Sequence, residues 1–196
     1  MGATIHKNVV EPFLQLREAA GEAGFHLQIF SGFRSFEDQL SIWNRKVSGE
    51  LPVLDSRAIA LDIETLSEEE LVFAILRWSA LPGASRHHWG TDLDVIDAKA
   101  KPEGYDVELV PGEVEPGGMF GPLHDWLDGR IAAGEAFGFF RPYDEDRGGV
   151  APERWHLSCF PVADPLREAL TPSRLRETLE ASEMRLKEVV LRNLES

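Results

Sequence analysis

The stretch SRHHWGTDLDV, Ser85 to Val95, sets two adjacent histidines and two aspartates on either side of Gly90. The constraint it imposes is geometric. Ligands of one zinc ion lie about 2 Å from the metal, and so about 3 to 4 Å from each other. Seven residues of extended chain would span roughly 23 Å. A histidine and an aspartate of this stretch can share an ion only if the backbone between them folds back. Gly90 can take the positive φ that such a turn demands without the strain another residue would incur. On the strand that follows, Asp92 and Asp94 share one face by the two-residue period, while Leu93 and Val95 point the other way into a core. On spacing alone, either histidine and either aspartate could reach a metal.

A second stretch, PERWHLSCF, supplies what the first lacks. Glu153 and His156 would fall on opposite faces of a regular strand, so a bend or a short helical turn must bring them into one pocket. Together they offer a third ligand and a general base, the minimum for a hydrolytic zinc site with a position left for water.

The rest of the chain reads as helices and strands without internal repeats. Val10, Phe13, Leu14 and Ala20 have helical spacing ended by Gly21 and Gly24, and FHLQIF then alternates as a strand does. Ser35 with Asp38, and Ser67 with Glu70, mark two helix starts; the helices carry Leu40, Trp43 and Val47, then Leu71, Ile75 and Trp78. DLDVID reads as a strand, Lys101 to Gly118 as a loop with room for one hairpin, and Pro122 to Ala136 as a helix. WHLSCF reads as a buried strand. From Thr171, with Pro172 at the first helical position, one helix of roughly six turns is predicted to the end. Its leucines suit packing on its own domain, or a seam between two copies. A formal net charge of -14 argues against nucleic acid as a partner, because phosphate binding draws on clustered Lys and Arg. No apolar run is long enough for a membrane span. The single cysteine, Cys159, can form no internal disulfide; three residues after His156 on a strand it would face away, so it reads as a buried small side chain. His6, His26 and His124 lie in no ligand-like spacing and read as structural or exposed.

Taken together, three motifs resemble the VanY-like D-alanyl-D-alanine carboxypeptidases, zinc peptidases that trim peptidoglycan stem peptides. SRHHWGTDLD follows the family pattern S-x-H-x-x-G-x-A-x-D except that Asp92 replaces the alanine; ERWH follows E-x-W-H; SGFRSFEDQ follows S-G-[YF]-R-S-x-x-x-Q. The resemblance implies one Zn2+ bound by His87, Asp94 and His156, with Glu153 as catalytic base. It also implies Arg34 as a catalytic and substrate-binding residue, joined in substrate binding by Ser35 and Gln39. His88 becomes a neighbour of the site. Arg154 stands where proline is common, a change that bears on backbone stiffness more than on chemistry. Arg34 has a physical use in an exopeptidase, because a guanidinium can grip both oxygens of a free C-terminal carboxylate.

The expected protein is therefore α+β, a small antiparallel sheet flanked by helices with zinc at one end of the sheet. It divides into a carboxypeptidase-like domain over 1–165 and a helical extension over 166–196. Its expected activity is release of D-alanine from a stem peptide or muropeptide. The alternatives are L,D-carboxypeptidase or endopeptidase action on the same stems, or a zinc-containing module that binds wall peptides without cutting. Glu153 speaks against the last, since a structural zinc site has no use for a base. A homodimer through the C-terminal helix is a further expectation. The expected location is the cytoplasm, acting on recycled fragments, or an extracytoplasmic compartment if a leader precedes this sequence.

Overall fold

The computed structural model describes residues 3–194. In chain order its elements are α1 (Val10–Glu22), β1 (Leu27–Ser31), α2 (Phe36–Val47), α3 (Glu68–Leu76), β2 (Asp92–Asp97), α4 (Pro111–Val114), α5 (Gly121–Ala132), β3 (Phe139–Phe140), β4 (His156–Cys159), α6 (Phe160–Ala169), α7 (Pro172–Glu180) and α8 (Lys187–Asn193). These form two compact units. One comprises the chain up to Phe33, Trp89–Asp144 and Pro152–Leu166; the other comprises Arg34–His88, Glu145–Ala151 and the chain from Arg167 onward.

The first unit is built on an antiparallel sheet of order β1-β2-β4-β3. Apolar residues of β1, β2 and β4 (Leu27, Leu93, Val95 and Leu157) meet Phe13, Leu16 and Ala20 of α1 and Leu123 and Leu127 of α5 in one buried cluster. In α1 the inward positions are Phe13, Leu16 and Ala20, a three-then-four spacing, whereas Val10 and Leu14, expected on the same face, are exposed. All six residues of β2 are buried, its aspartates included, which makes polar satisfaction on this strand a central structural requirement.

The second unit has its own core: Trp43 of α2, Leu71, Val72 and Ile75 of α3, Leu175 and Leu179 of α7, and Val189 and Val190 of α8. Both predicted helix starts are present. Ser35 Oγ accepts from Asp38 N–H at 3.0 Å, and Ser67 with Glu70 forms a reciprocal capping box.

Two further expectations change. The six-turn C-terminal helix is two helices, α7 ending at Glu180 and α8 beginning at Lys187, with Leu186 just before α8 in the left-handed region at φ 56°. No proline or glycine marks the break. Instead the Trp43 indole donates to the Arg185 carbonyl at 3.0 Å and the Asn44 amide oxygen accepts from Arg185 N–H at 2.9 Å, using backbone groups a continuous helix would need. The segment from Lys101 to Gly118 forms no hairpin among the described residues. It holds the short helix α4, organised by the Glu113 carboxylate, which accepts from Tyr105 O–H and from the backbone N–H of Glu108 and Leu109, each at 2.9 Å.

Candidate active site

Gly90 makes the turn that the first motif requires. Its φ is +66°, and a Cβ there would stand 2.9 Å from His6 N, because the Gly90 carbonyl accepts from His6 N–H at 2.8 Å. The chain thus needs glycine for its backbone angle and also for the close approach of a second strand of backbone. Before the turn, His87 lies on a short 3-10 helix, Arg86–Trp89. After it, β2 pairs with β4 so that Asp94 faces His156 and Asp92 faces Ser158. The other half of the site comes from a turn closed by His156 N–H donating to the Glu153 carbonyl at 3.1 Å. This is the bend that the spacing of Glu153 and His156 demanded, and it sets Glu153 Oε2 3.5 Å from His156 Nδ1.

One candidate ligand atom from each of His87, Asp94 and His156 lies within 4.8 Å of those of the other two, and all three residues are buried. Two imidazoles and one carboxylate match the three-protein-ligand set of a catalytic zinc, and no thiol is among them. The donor chemistry therefore fits a divalent ion. His156 Nδ1 is 3.2 Å from Asp94 Oδ1, while Nε2 is 2.9 Å from Asp92 Oδ1. Burial alone would push the His156 imidazole down, but its hydrogen bonds to the two aspartates outweigh burial and push it up to about 10. The Tyr143 ring meets the imidazole edge-on at 5.1 Å between centroids, and its carbonyl accepts from Glu153 N–H at 3.0 Å. Trp155 is 4% exposed and belongs to the core.

Arg34 sits just before α2. Its Nη1 donates to Gln39 Oε1 at 2.9 Å, and Gln39 Nε2 donates to the Ala80 carbonyl at 2.7 Å. Gln39 is 1% exposed, so its amide aims the guanidinium from beneath. The Ser35 hydroxyl caps α2 and donates to Asp38 Oδ2 at 2.8 Å. Arg34 N–H donates to the His87 carbonyl at 3.1 Å. His88 is a brace: its Nε2 accepts from Gly83 N–H at 3.0 Å, which leaves Nδ1 to donate to the Arg34 carbonyl at 2.7 Å. Burial chiefly, with Arg34 and His87 nearby, lowers the His88 pKa and keeps the ring in that neutral form. Spacing alone left the choice between the adjacent histidines open and the family resemblance implied His87; His87 lies in the ligand cluster, while His88 braces the backbone beside it.

Arg154 is the residue whose importance the sequence hid. Its Nη1 donates to the Val114 carbonyl at 2.6 Å, Nη2 to Asp125 at 2.8 Å, and Nε to Asp128 at 3.2 Å. Asp128 also accepts from Arg141 Nε at 2.6 Å. Burial would raise the Asp128 carboxyl, but the two guanidiniums outweigh it and hold the group below the usual carboxylate range. The turn carrying Glu153 is thereby tied to α5 and to the end of α4.

With this geometry in place, comparison with known proteins decides the family. A family model described as VanY, D-alanyl-D-alanine carboxypeptidase, matches residues 2–162. The chain belongs to the VanY family. Two uncharacterized proteins of Haemophilus influenzae are similar to this VanY-family chain: one is 44% identical over 77 residues, 39% of this chain and 53% of its own length. The other is 34% identical over 97 residues, 48% of this chain and 72% of its own length. The match therefore spans about half the length of the first of these relatives. Among solved structures, VanYB in complex with D-alanine-D-alanine has a TM-score of 0.56 at 21% identity, covering 91% of this chain and 84% of its own. A mutant of the vancomycin-resistance D,D-pentapeptidase VanY in complex with Zn(II) has a TM-score of 0.54 at 22% identity, covering 84% and 78%. The LD-carboxypeptidase LdcB has a TM-score of 0.55 at 22% identity, covering 84% and 64%. These likenesses establish the fold. Among the described residues no helix is long and apolar enough to cross a membrane.

Proposed function

We propose that this VanY-family protein is a zinc-dependent D,D-carboxypeptidase that removes the C-terminal D-alanine of peptidoglycan stem peptides. The observation that carries the reading is the gathering of His87, Asp94 and His156 ligand atoms within 4.8 Å, with the Glu153 carboxylate 3.5 Å from His156. His87, Asp94 and His156 would hold the ion, which supplies Lewis acidity toward water and a peptide carbonyl. Glu153 accepts the proton of the attacking water and returns it to the departing amine. The turn beneath it, fastened by Arg154, keeps the carboxylate in place during that exchange. Arg34, aimed by Gln39, grips the terminal carboxylate of the peptide through paired hydrogen bonds, the feature that distinguishes a chain end from an internal bond. Ser35 fixes the start of α2 and so the backbone from which Arg34 projects. The substrate class follows the family description and the D-alanine-D-alanine carried by VanYB.

The test is incubation of zinc-loaded protein with stem tripeptide, tetrapeptide and pentapeptide, with products read by mass. Conversion of pentapeptide to tetrapeptide supports the D,D reading. Shortening of tetrapeptide alone would replace it with L,D action, cleavage of an internal bond with endopeptidase action, and zinc-dependent binding without cleavage with a recognition module. Glu153→Gln should retain zinc and fold while hydrolysis falls by about 10²- to 10⁴-fold.

A further inference from the structure

We propose that Asp92, which occupies the alanine position of the motif, is a positioning residue for the metal. Its carboxylate holds the His156 ring at Nε2, with Nδ1 turned toward Asp94 and Glu153. The inference rests on the metal reading above and deepens it.

Asp92 is fully buried, as are its neighbours Thr91 and Ser158. Its two oxygens have separate tasks. Oδ2 accepts from Thr91 Oγ1 at 2.7 Å and from Ser158 Oγ at 3.2 Å, which fixes the plane of the carboxylate. Oδ1 then points at His156 Nε2, 2.9 Å away. The register explains why this works. Asp92 and Asp94 lie two apart on β2 and share a face, opposite Ser158 and His156 of β4. The imidazole therefore bridges two carboxylates, Nε2 to Asp92 and Nδ1 to Asp94 at 3.2 Å. The Nδ1 end is also the one beside Glu153, at 3.5 Å, so ligand, acid and ring nitrogen converge there.

An ionised carboxylate only accepts hydrogen bonds. Oδ1, 2.9 Å from Nε2, is an acceptor matched by an N–H on that nitrogen, which leaves the lone pair of the ring on Nδ1, facing Asp94 and Glu153. The ring cannot rotate to exchange its two nitrogens without breaking the bond to Asp92 among buried neighbours. A ligating imidazole whose second nitrogen donates to a carboxylate is held in one orientation and is a stronger base, and losing such a partner typically costs about 10- to 100-fold in metal affinity. Alanine at this position could do neither. Asp92 itself lies outside the ligand cluster, in which Asp94 is the only carboxylate, so its carboxylate supports the ion through His156 rather than competing for it.

The test combines a wild-type measurement with two variants. Long-range ¹⁵N–¹H spectra of zinc-loaded wild type should show His156 with Nδ1 metal-bound and Nε2 protonated. In chelator competition, Asp92→Ala should bind zinc about 10- to 100-fold more weakly. Asp92→Asn keeps an acceptor oxygen for Nε2–H, and it should fall between the two and retain Nδ1 ligation. The cobalt-substituted Asp92→Ala protein should show a shifted visible spectrum as the ring reorients. Ligation through Nε2 in the wild type, or an unchanged zinc affinity in a folded Asp92→Ala protein, would overturn the inference while leaving the metal site standing. Wild type that takes up no divalent ion would overturn the metal reading, and this inference with it.

Discussion

Replacing Arg154 tests how the turn that carries Glu153 is held. Its guanidinium makes one bond to a neutral carbonyl, Val114, and pairs with Asp125 and Asp128, whose side chains are 59% and 42% exposed. A charged donor on a neutral carbonyl contributes about 1.5 kcal/mol at the low end of its range. Each half-exposed ion pair, discounted for screening, adds about 0.5 kcal/mol. Arg154→Ala should therefore lower unfolding free energy by about 2 to 3 kcal/mol, measured by urea denaturation followed through Trp fluorescence. Arg154→Lys keeps the charge but reaches only one of three acceptors, so about half of that loss should remain. Because Glu153 precedes Arg154 in the same turn, kcat should fall by about ten- to a hundredfold with zinc content unchanged. Arg147→Ala is the control: that arginine pairs with Glu145 at 56% and 70% exposure, and its removal should cost less than about 0.5 kcal/mol. An Arg154→Ala protein as stable as this control, with wild-type kcat, would refute the reasoning.

Gly90→Ala places a methyl group 2.9 Å from His6 N at a φ of +66°, and should destabilise the protein by about 2 kcal/mol or more while weakening zinc binding; a melting temperature equal to wild type would show that the turn is not constrained. Metal-free protein should be most stable near neutral pH, for two opposed reasons. His156 is pushed up to about 10 from 6.5, so its contribution is complete below 6.5 and lost as pH rises toward 10. His124 is buried beside Arg141 and Arg154 and lowered to about 3, so its contribution is complete above 6.5 and lost as pH falls. Zinc should abolish the alkaline loss by replacing the His156 proton; a metal-free melting temperature that stays flat from pH 7 to 9.5 would contradict the assignment to His156.

Local signals read well from the sequence because their physics is local. The caps at Ser35 and Ser67 satisfy amides three residues on, the Gly90 turn is set by a backbone angle, and the Glu153–His156 bend follows from incompatibility with a strand. What escaped depends on distant partners. Nothing near Arg154 announces Asp125, Asp128 or the Val114 carbonyl, and an arginine in place of proline suggested only altered stiffness. Asp92 raised a question about competition for the metal that spacing could not answer, because its answer lies in Ser158 and His156 on another strand. Between α7 and α8, Trp43 and Asn44 claim the Arg185 backbone, and a leucine-rich amphipathic run carries no trace of that.

X-ray absorption of the zinc-loaded protein tests the central claim most directly. His87, Asp94 and His156 predict one ion per chain with nitrogen and oxygen neighbours at about 2.0–2.2 Å, two of them imidazoles, and no sulfur. A sulfur neighbour, a shell without histidine, or an undiminished ion in His87→Ala and His156→Ala proteins would contradict it.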